Sequence, residues 1–285
     1  MALIKTFDRT ADVSKIEGCN TRGIDYRWTI FSEVIATIPA GSDALDFGAG
    51  SLRESFDLAC RGFNVTSVDI DQELMSVYKS GYEWPANGTS HKLIGARDLE
   101  DALAKIRGQK FALVTCFDAL EHLEDPGAVL RMINSCITDD GKILITVPNG
   151  RTLFELAFRF DLLLARATKR SMRPGEPHLQ RNSPGKWKQI IVSAGYEVLQ
   201  HELEIGFFVN TVAALVQLPL TFAGRILRKL NVKVDAAELS ARVCSGNRMA
   251  ALDRLDKKTK PVFRGLYGWN LFVAVPARNF TMERR

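Results

Sequence analysis

The stretch Ala44-Leu45-Asp46-Phe47-Gly48-Ala49-Gly50 decides how this chain is read. Asp43–Phe47 has the length and apolar content of a short buried strand, and two glycines follow it at once. Glycine admits positive φ and lets a ligand approach the main chain, so the turn suits close contact. Leu52–Cys60 continues at helical spacing and closes on Arg61-Gly62. Beyond it, Asn64–Ile70 reads as a strand, Gln72–Lys79 as a helix and His91–Ile94 as a weak strand. Leu99–Ile106 is a helix stopped by Arg107-Gly108, and Phe111–Phe117 a strongly apolar strand. Pro126–Cys136 is a helix with proline in its first turn, and Lys142–Val147 a strand entered through Asp139-Asp140-Gly141. Strands and helices alternating at this spacing predict βαβ units: an α/β, doubly wound, mostly parallel sheet with helices on both faces.

The second half is less regular. Leu153–Ala167 is an apolar helix leading into Arg166, Lys169, Arg170 and Arg173. A helix from Ser183-Pro184 to about Ala194 precedes a strand from Gly195 to Leu199. Ile205–Gly224 carries no charge and is followed by Arg225, Arg228 and Lys229. Residues 231–264 are polar and basic, and Trp269–Pro276 reads as a final strand. The block before that strand is too long for a plain loop and is expected to be an insertion or lid.

Composition narrows the class. At 46% hydrophobic and 25% charged, the 285 residues are neither collagen-like, disordered nor coiled-coil. The five cysteines (19, 60, 116, 136, 244) form no C-x-x-C pair, which predicts a reducing compartment without a disulfide framework or zinc site. The charged N-terminus has no apolar signal segment, so a cytoplasmic location is expected. Residues 1–150 hold 15 Lys/Arg against 22 Asp/Glu, net −7, whereas 151–285 hold 23 against 11, net +12. An acidic core followed by basic additions points to an anionic partner for the second half.

The predicted second strand ends Val68-Asp69-Ile70-Asp71, with Asp69 23 residues beyond Asp46. That offset suits a carboxylate accepting from two ribose hydroxyls. A dinucleotide fingerprint starting at Gly48 needs glycine at 53, where the chain has Arg53. Asp46 at the first strand's end instead suits S-adenosyl-L-methionine, whose ammonium needs an acidic partner and which has no pyrophosphate to cradle.

Asp46-Phe47-Gly48-Ala49-Gly50, Val68-Asp69 and Phe111-Ala-Leu-Val-Thr-Cys-Phe117-Asp118-Ala-Leu-Glu121-His122-Leu-Glu-Asp-Pro126 together resemble class I S-adenosylmethionine-dependent methyltransferases. The last run is similar to the small-molecule group that includes the ubiquinone-biosynthesis O-methyltransferases. The resemblance spans roughly residues 25–203 and the last strand, and implies a Rossmann-like seven-stranded sheet in the order 3-2-1-4-5-7-6. One departure is Leu52, where the family often has a third glycine. The implied organisation is an N-terminal helical cap (1–40), a cofactor-binding core (41–203), an apolar and basic insertion or lid (204–265), and the last strand with its tail (266–285).

The resemblance implies a cofactor site of Asp46, Phe47, Gly48, Ala49, Gly50, Asp69, Ile70, Asp98, Leu99, Phe117 and Asp118. Asp98 has two readings: acceptor for the adenine amino group, or cap of the helix at Leu99. Arg27 in the helical run Tyr26–Ile38 either pairs with the cofactor carboxylate or is a solvated surface arginine. Methyl transfer mainly needs alignment and exclusion of water. A hydroxyl acceptor also has to lose a proton, which suits a histidine. His122, past the fourth strand, and His178, after a predicted lid, are the candidates; a loop anchor and a helix cap are their structural alternatives. His91 and His201 have no such placement. Glu121, His122 and Glu124 form a cluster where some similar quinone O-methyltransferases employ a divalent metal, and the same spacing is ordinary for a loop and helix start.

The acceptor is thus expected to be the oxygen of a small or lipid-linked metabolite. The alternatives are a metal-assisted quinone-type O-methyltransferase, a non-catalytic scaffold retaining the fold, and an RNA methyltransferase. RNA is disfavoured because aromatic residues do not interleave with the basic ones. The apolar runs at 153–173 and 205–233, each followed by basic residues, suggest reversible contact with an anionic membrane surface. A buried lid is the competing reading of 205–224, and a transmembrane helix a third.

Overall fold

The computed structural model describes residues 26–86, 88–153, 155–156, 178–209, 211–212, 215 and 247–277, with backbone alone for 26–30, 247–251, 253 and 264. The sheet has seven strands: β1 (Asp43–Phe47), β2 (Asn64–Asp69), β3 (His91–Gly95), β4 (Phe111–Phe117), β5 (Ile137–Pro148), β6 (Tyr196–Glu204) and β7 (Trp269–Pro276). Their order is β3-β2-β1-β4-β5-β7-β6, as the resemblance implied. The first five run parallel, and β7 lies antiparallel between β5 and β6. Around the sheet stand α1 (Tyr26–Ile35), α2 (Arg53–Cys60), α3 (Gln72–Gly81), α4 (Leu99–Ile106), α5 (Pro126–Asn134), α6 (Pro184–Ser193) and α7 (Asn247–Phe263).

The central strands are covered on both faces, which is why they read as continuous apolar runs rather than alternations. Leu113, Val114 and Cys116 of β4, like Ile143, Leu144 and Ile145 of β5, are wholly buried. Their side chains split between two cores. One packs Val114 and Ile145 against Leu103, Leu130 and Trp187 from α4, α5 and α6. The other packs Leu113 and Leu144 against Phe31 and Ile35 of α1 and Leu58 of α2.

Side-chain caps start the helices where the sequence supplies them. Asp71, Asp98, Asp125 and Ser183 each accept a backbone N–H from the first turn of α3, α4, α5 and α6. Proline at the first position of α5 and α6 costs no hydrogen bond. β5 begins at Ile137, five residues before the expected start. Ile137 pairs with Phe111, and the register then jumps so that Lys142 pairs with Leu113. Asp139-Asp140-Gly141 is therefore a bulge within the strand. A Cβ at Gly141 would lie 2.9 Å from the Phe111 carbonyl oxygen, so the bulge requires glycine.

Residues 207–209, 211, 212 and 215 are helical. Asp256 of α7 is buried and accepts the N–H groups of Phe208 (2.8 Å) and Val209 (2.9 Å), capping that segment from another helix. The basic clusters at 166–173 and 225–229 and most of the uncharged run lie outside the described residues. Among the described residues, no helix is long and apolar enough to cross a membrane.

Candidate active site

The glycine loop joins β1 to α2 beneath the end of β2. The N–H groups of Gly48 and Ala49 both donate to the Val68 carbonyl, at 2.9 and 3.1 Å. The Gly50 N–H donates to Asp69 Oδ2 at 2.8 Å, and the Asp71 N–H to Oδ1 at 2.8 Å. Asp69 therefore ties the loop to the following strand end. Gly48 has φ 77°, and a Cβ there would lie 2.6 Å from the Ala119 Cβ, so a side chain at 48 would push the β1 and β4 loops apart. Leu52, at the position of the missing third glycine, adopts φ 58° and is wholly buried. It packs with Ala49, Phe56, Met75 and Tyr82, and this burial offsets the cost of a left-handed leucine.

A cavity of about 400 Å³ opens at the C-terminal ends of β1, β2 and β4, the usual ligand crevice of a doubly wound sheet. Of the residues expected there, Phe47, Gly48, Gly50, Asp69, Ile70, Leu99, Asp118 and His122 line it. Asp46, Ala49, Asp98, Phe117 and His178 do not. Asp98 Oδ1 instead accepts the Asp101 N–H, the capping alternative. Phe117 turns to the opposite side and stacks on Phe31 at 5.2 Å. The backbone at Arg27 lies in α1, and its side chain is outside the described set. Val68, Asp71, Leu74, Ala102, Ala119 and Leu123 also line it, beyond the residues expected from the sequence. Leu74 had a usable signal, being an apolar residue on the first turn of the helix after Asp69.

Asp46 sits behind the loop rather than in the cavity. Its Oδ1 accepts from Thr115 (2.8 Å) and its Oδ2 from Ser55 (2.5 Å), and Ser55 continues through Ser67 to Nε2 of His91. Burial, then the nearby charge of Glu54, outweigh those hydrogen bonds and push the Asp46 carboxyl from 3.8 up to about 7. Because the folded chain holds this proton more tightly than the unfolded one, the contribution is full below pH 3.8 and is lost as pH rises through about 7. Asp46→Asn keeps the shape and removes the titration. Its denaturation midpoint should vary less than wild type across that window; an unchanged slope would assign the dependence to other groups.

Past β4, Asp118 takes φ 51°. Its Oδ1 accepts from Thr146 Oγ1 (2.8 Å) and Trp269 Nε1 (3.0 Å), so the last strand reaches back to brace the cavity wall. Glu121 follows on a short 3₁₀ turn, Leu120–His122. It is 1% exposed, and burial, reinforced by Asp118, pushes its carboxyl well above the usual range.

The segment 178–182 is laid against this turn. Leu179 and Gln180 both donate their N–H to the Glu121 carbonyl, at 2.7 and 2.8 Å. The Gln180 amide donates to the carbonyls of Leu123 and Glu124. The two candidate histidines thereby meet, with ring centroids 5.1 Å apart at 73°. Glu121, His122 and His178 each offer a donor atom within 4.8 Å of the others. The exposed Glu124 is outside this group, because its side chain belongs to the solvent side of the loop before α5; His178, from 56 residues away in sequence, takes the third position. The other histidines serve packing. His91 stacks on Trp84, and burial lowers it to about 4; His201 stacks on Phe272. Burial raises the Cys116 thiol well above its usual value, which fits a packing role.

A glycine loop, a carboxylate at the end of β2 lining the adjoining cavity and the 3-2-1-4-5-7-6 sheet define a class I methyltransferase. Comparison with known proteins agrees. The methyltransferase-domain family model matches residues 24–201, and the chain belongs to that family. It is an S-adenosylmethionine-dependent methyltransferase. Curated relatives include the ubiquinone biosynthesis O-methyltransferase of Marinobacter nauticus, 28% identical over 198 residues covering 68% of this chain and 75% of that one. The protein of the same name from Pseudomonas syringae pv. tomato is 25% identical and covers 61% and 79%. Among solved structures, an S-adenosylmethionine-dependent methyltransferase from Geobacter sulfurreducens, crystallised with S-adenosyl-L-homocysteine, superposes with TM-score 0.52 at 16% identity, covering 93% of this chain and 96% of that one. Magnesium protoporphyrin IX methyltransferase from Synechocystis PCC 6803 does so at 0.50 and 15%, covering 94% and 93%.

Proposed function

We propose that this enzyme methylates a hydroxyl oxygen on a small, apolar or lipid-linked acceptor. The observation that carries this reading is the pair His122–His178 at the edge of the cofactor cavity, which sets an imidazole beside the place where an acceptor must enter. The cavity suits the cofactor. Gly48 and Gly50 leave the main chain open, Asp69 still has lone pairs for two ribose hydroxyls, and Ile70, Leu74 and Leu99 supply apolar surface for a base. Bound S-adenosylmethionine supplies a methyl group on positively charged sulfur, already activated for attack. The chain's own work is then to align the acceptor, exclude water and take one proton. The acceptor oxygen loses its proton to imidazole and bonds the methyl carbon, while the carbon–sulfur electron pair remains on sulfur.

Leu153, Leu156 and Leu179 are 48%, 58% and 50% exposed on the segments flanking His178. Exposed leucines on the elements that carry Glu155 and His178 favour an amphiphilic acceptor, presented from an anionic lipid surface or free in solution. Incubating cell extracts with methyl-deuterated cofactor should label a hydroxylated, apolar metabolite. Labelled RNA would instead support the nucleic-acid reading, and tight product binding without any labelling the scaffold reading.

A second reading, transfer assisted by a divalent ion, is favoured by one observation. Oε2 of buried Glu121 has no hydrogen-bond partner among the described residues and lies in the group with His122 and His178. Carboxylate and imidazole donors fit such an ion, which would polarise the acceptor oxygen. Exhaustive chelation then abolishes turnover and magnesium or manganese restores it. Full turnover after chelation excludes this reading and leaves the histidines to act alone.

A further inference from the structure

We infer that Glu155 is the positioning residue that makes His178 the proton acceptor of the reaction. The inference rests on the proposed transfer to oxygen, and its geometry is independent of it. Glu155 lies 23 residues before His178, on the helical turn that leaves β5, and no motif singles it out. Thr152 starts that turn: its Oγ1 accepts the Glu155 N–H at 3.2 Å, and its carbonyl the Leu156 N–H at 3.1 Å. The turn aims the carboxylate inward, where it is 1% exposed. Oε1 meets Nδ1 of His178 at 2.9 Å, and Oε2 stands 3.5 Å from Nε of Arg181.

A carboxylate can only accept, so the bond requires Nδ1 of His178 to carry the proton. The tautomer is then set, and Nε2 keeps the lone pair. The ring's position is fixed as firmly as its tautomer. The Glu121 carbonyl holds the next two residues, and Gly150 donates to the Asn182 carbonyl at 3.0 Å. Gly150 can hold no side chain, since a Cβ there would fall 2.1 Å from the Arg181 carbonyl oxygen. His178 therefore has what a general base needs: an accepting nitrogen, a carboxylate partner for the imidazolium that forms, and a fixed ring beside the cavity wall at His122. The His122 ring meets His178 edge to face, with centroids 5.1 Å apart. In the step itself, the acceptor O–H proton moves to Nε2, the positive charge faces Glu155, and the proton leaves to solvent after product release.

Nitrogen-15 NMR of the four histidines reads the tautomer directly, with no acceptor needed; the His178→Ala variant assigns the signal. Wild type should show His178 protonated at Nδ1. Glu155→Gln retains a carbonyl acceptor and should keep that tautomer with reduced turnover, because the imidazolium loses its charged partner. Glu155→Ala should release the ring toward the Nε2–H form favoured in water and lower kcat about 10–100-fold, with KM for S-adenosylmethionine unchanged. Should the alanine variant not fold, the glutamine variant still decides: its tautomer must persist while kcat falls. An Nε2–H tautomer in wild type overturns the dyad, and so does unchanged kcat in a folded Glu155→Ala or Glu155→Gln variant. A confirmed tautomer in a protein that methylates nitrogen or carbon would leave the dyad standing and remove the oxygen reading instead.

Discussion

Replacing His178 by alanine should cost about 10²–10⁴-fold in methyl-transfer rate while affinity for S-adenosylhomocysteine stays at the wild-type level. The two readouts separate because His178 does not line the cofactor cavity, whereas His122 does. The backbone bonds from Leu179 and Gln180 to Glu121 survive the substitution, so the segment keeps its place. What the variant lacks is the imidazole proposed to take the acceptor's proton and its contact with the Glu155 carboxylate. Single-turnover rates with the labelled metabolite, paired with calorimetry on the product cofactor, give both numbers. Near-normal turnover would mean that proximity alone drives transfer, or that His122 is the base. His122→Ala should disturb cofactor affinity as well as rate.

The second large effect is expected from Asp69→Ala. Two charge-assisted bonds to ribose hydroxyls are worth about 1.5–3 kcal/mol each. The same carboxylate also holds the N–H groups of Gly50 and Asp71, so its removal loosens the glycine loop that lines the cavity. Affinity for S-adenosylmethionine should fall at least about tenfold, ~1.4 kcal/mol, with any larger loss shared between the ribose bonds and the loop. β2 is held by its ladders to β1 and β3, so the fold persists. Calorimetry on a folded variant with unchanged affinity would remove Asp69 from the site.

The sheet order was legible because buried parallel strands and capped helices alternate through residue 148 with little ambiguity. β5 was placed late because Asp139-Asp140-Gly141 has the composition of a turn; only the partner strand reveals that the ladder has already begun at Ile137. The glycine-loop side of the cavity was equally legible, since Gly48, Gly50 and Asp69 lie close together in sequence. The histidine side was not. Its parts come from the β4 loop, the turn at Thr152 and the segment at 178–182, and nothing periodic links Glu155 to His178. Their contact exists because Gly150 and Gln180 pin two connections together. Leu52 is a different case. Where the family often has glycine, a well-packed leucine holds a left-handed backbone.

The proposed function turns on methyl transfer to oxygen beside the His122–His178 pair. Carbon-13 NMR of the product formed from carbon-13-methyl S-adenosylmethionine tests it most directly, because methyl groups on oxygen, nitrogen and carbon resonate in separate ranges. An O-methyl signal should grow with wild-type enzyme and be lost in His178→Ala, with product-cofactor binding intact. An N-methyl or C-methyl signal, or an O-methyl signal undiminished in His178→Ala, would contradict it.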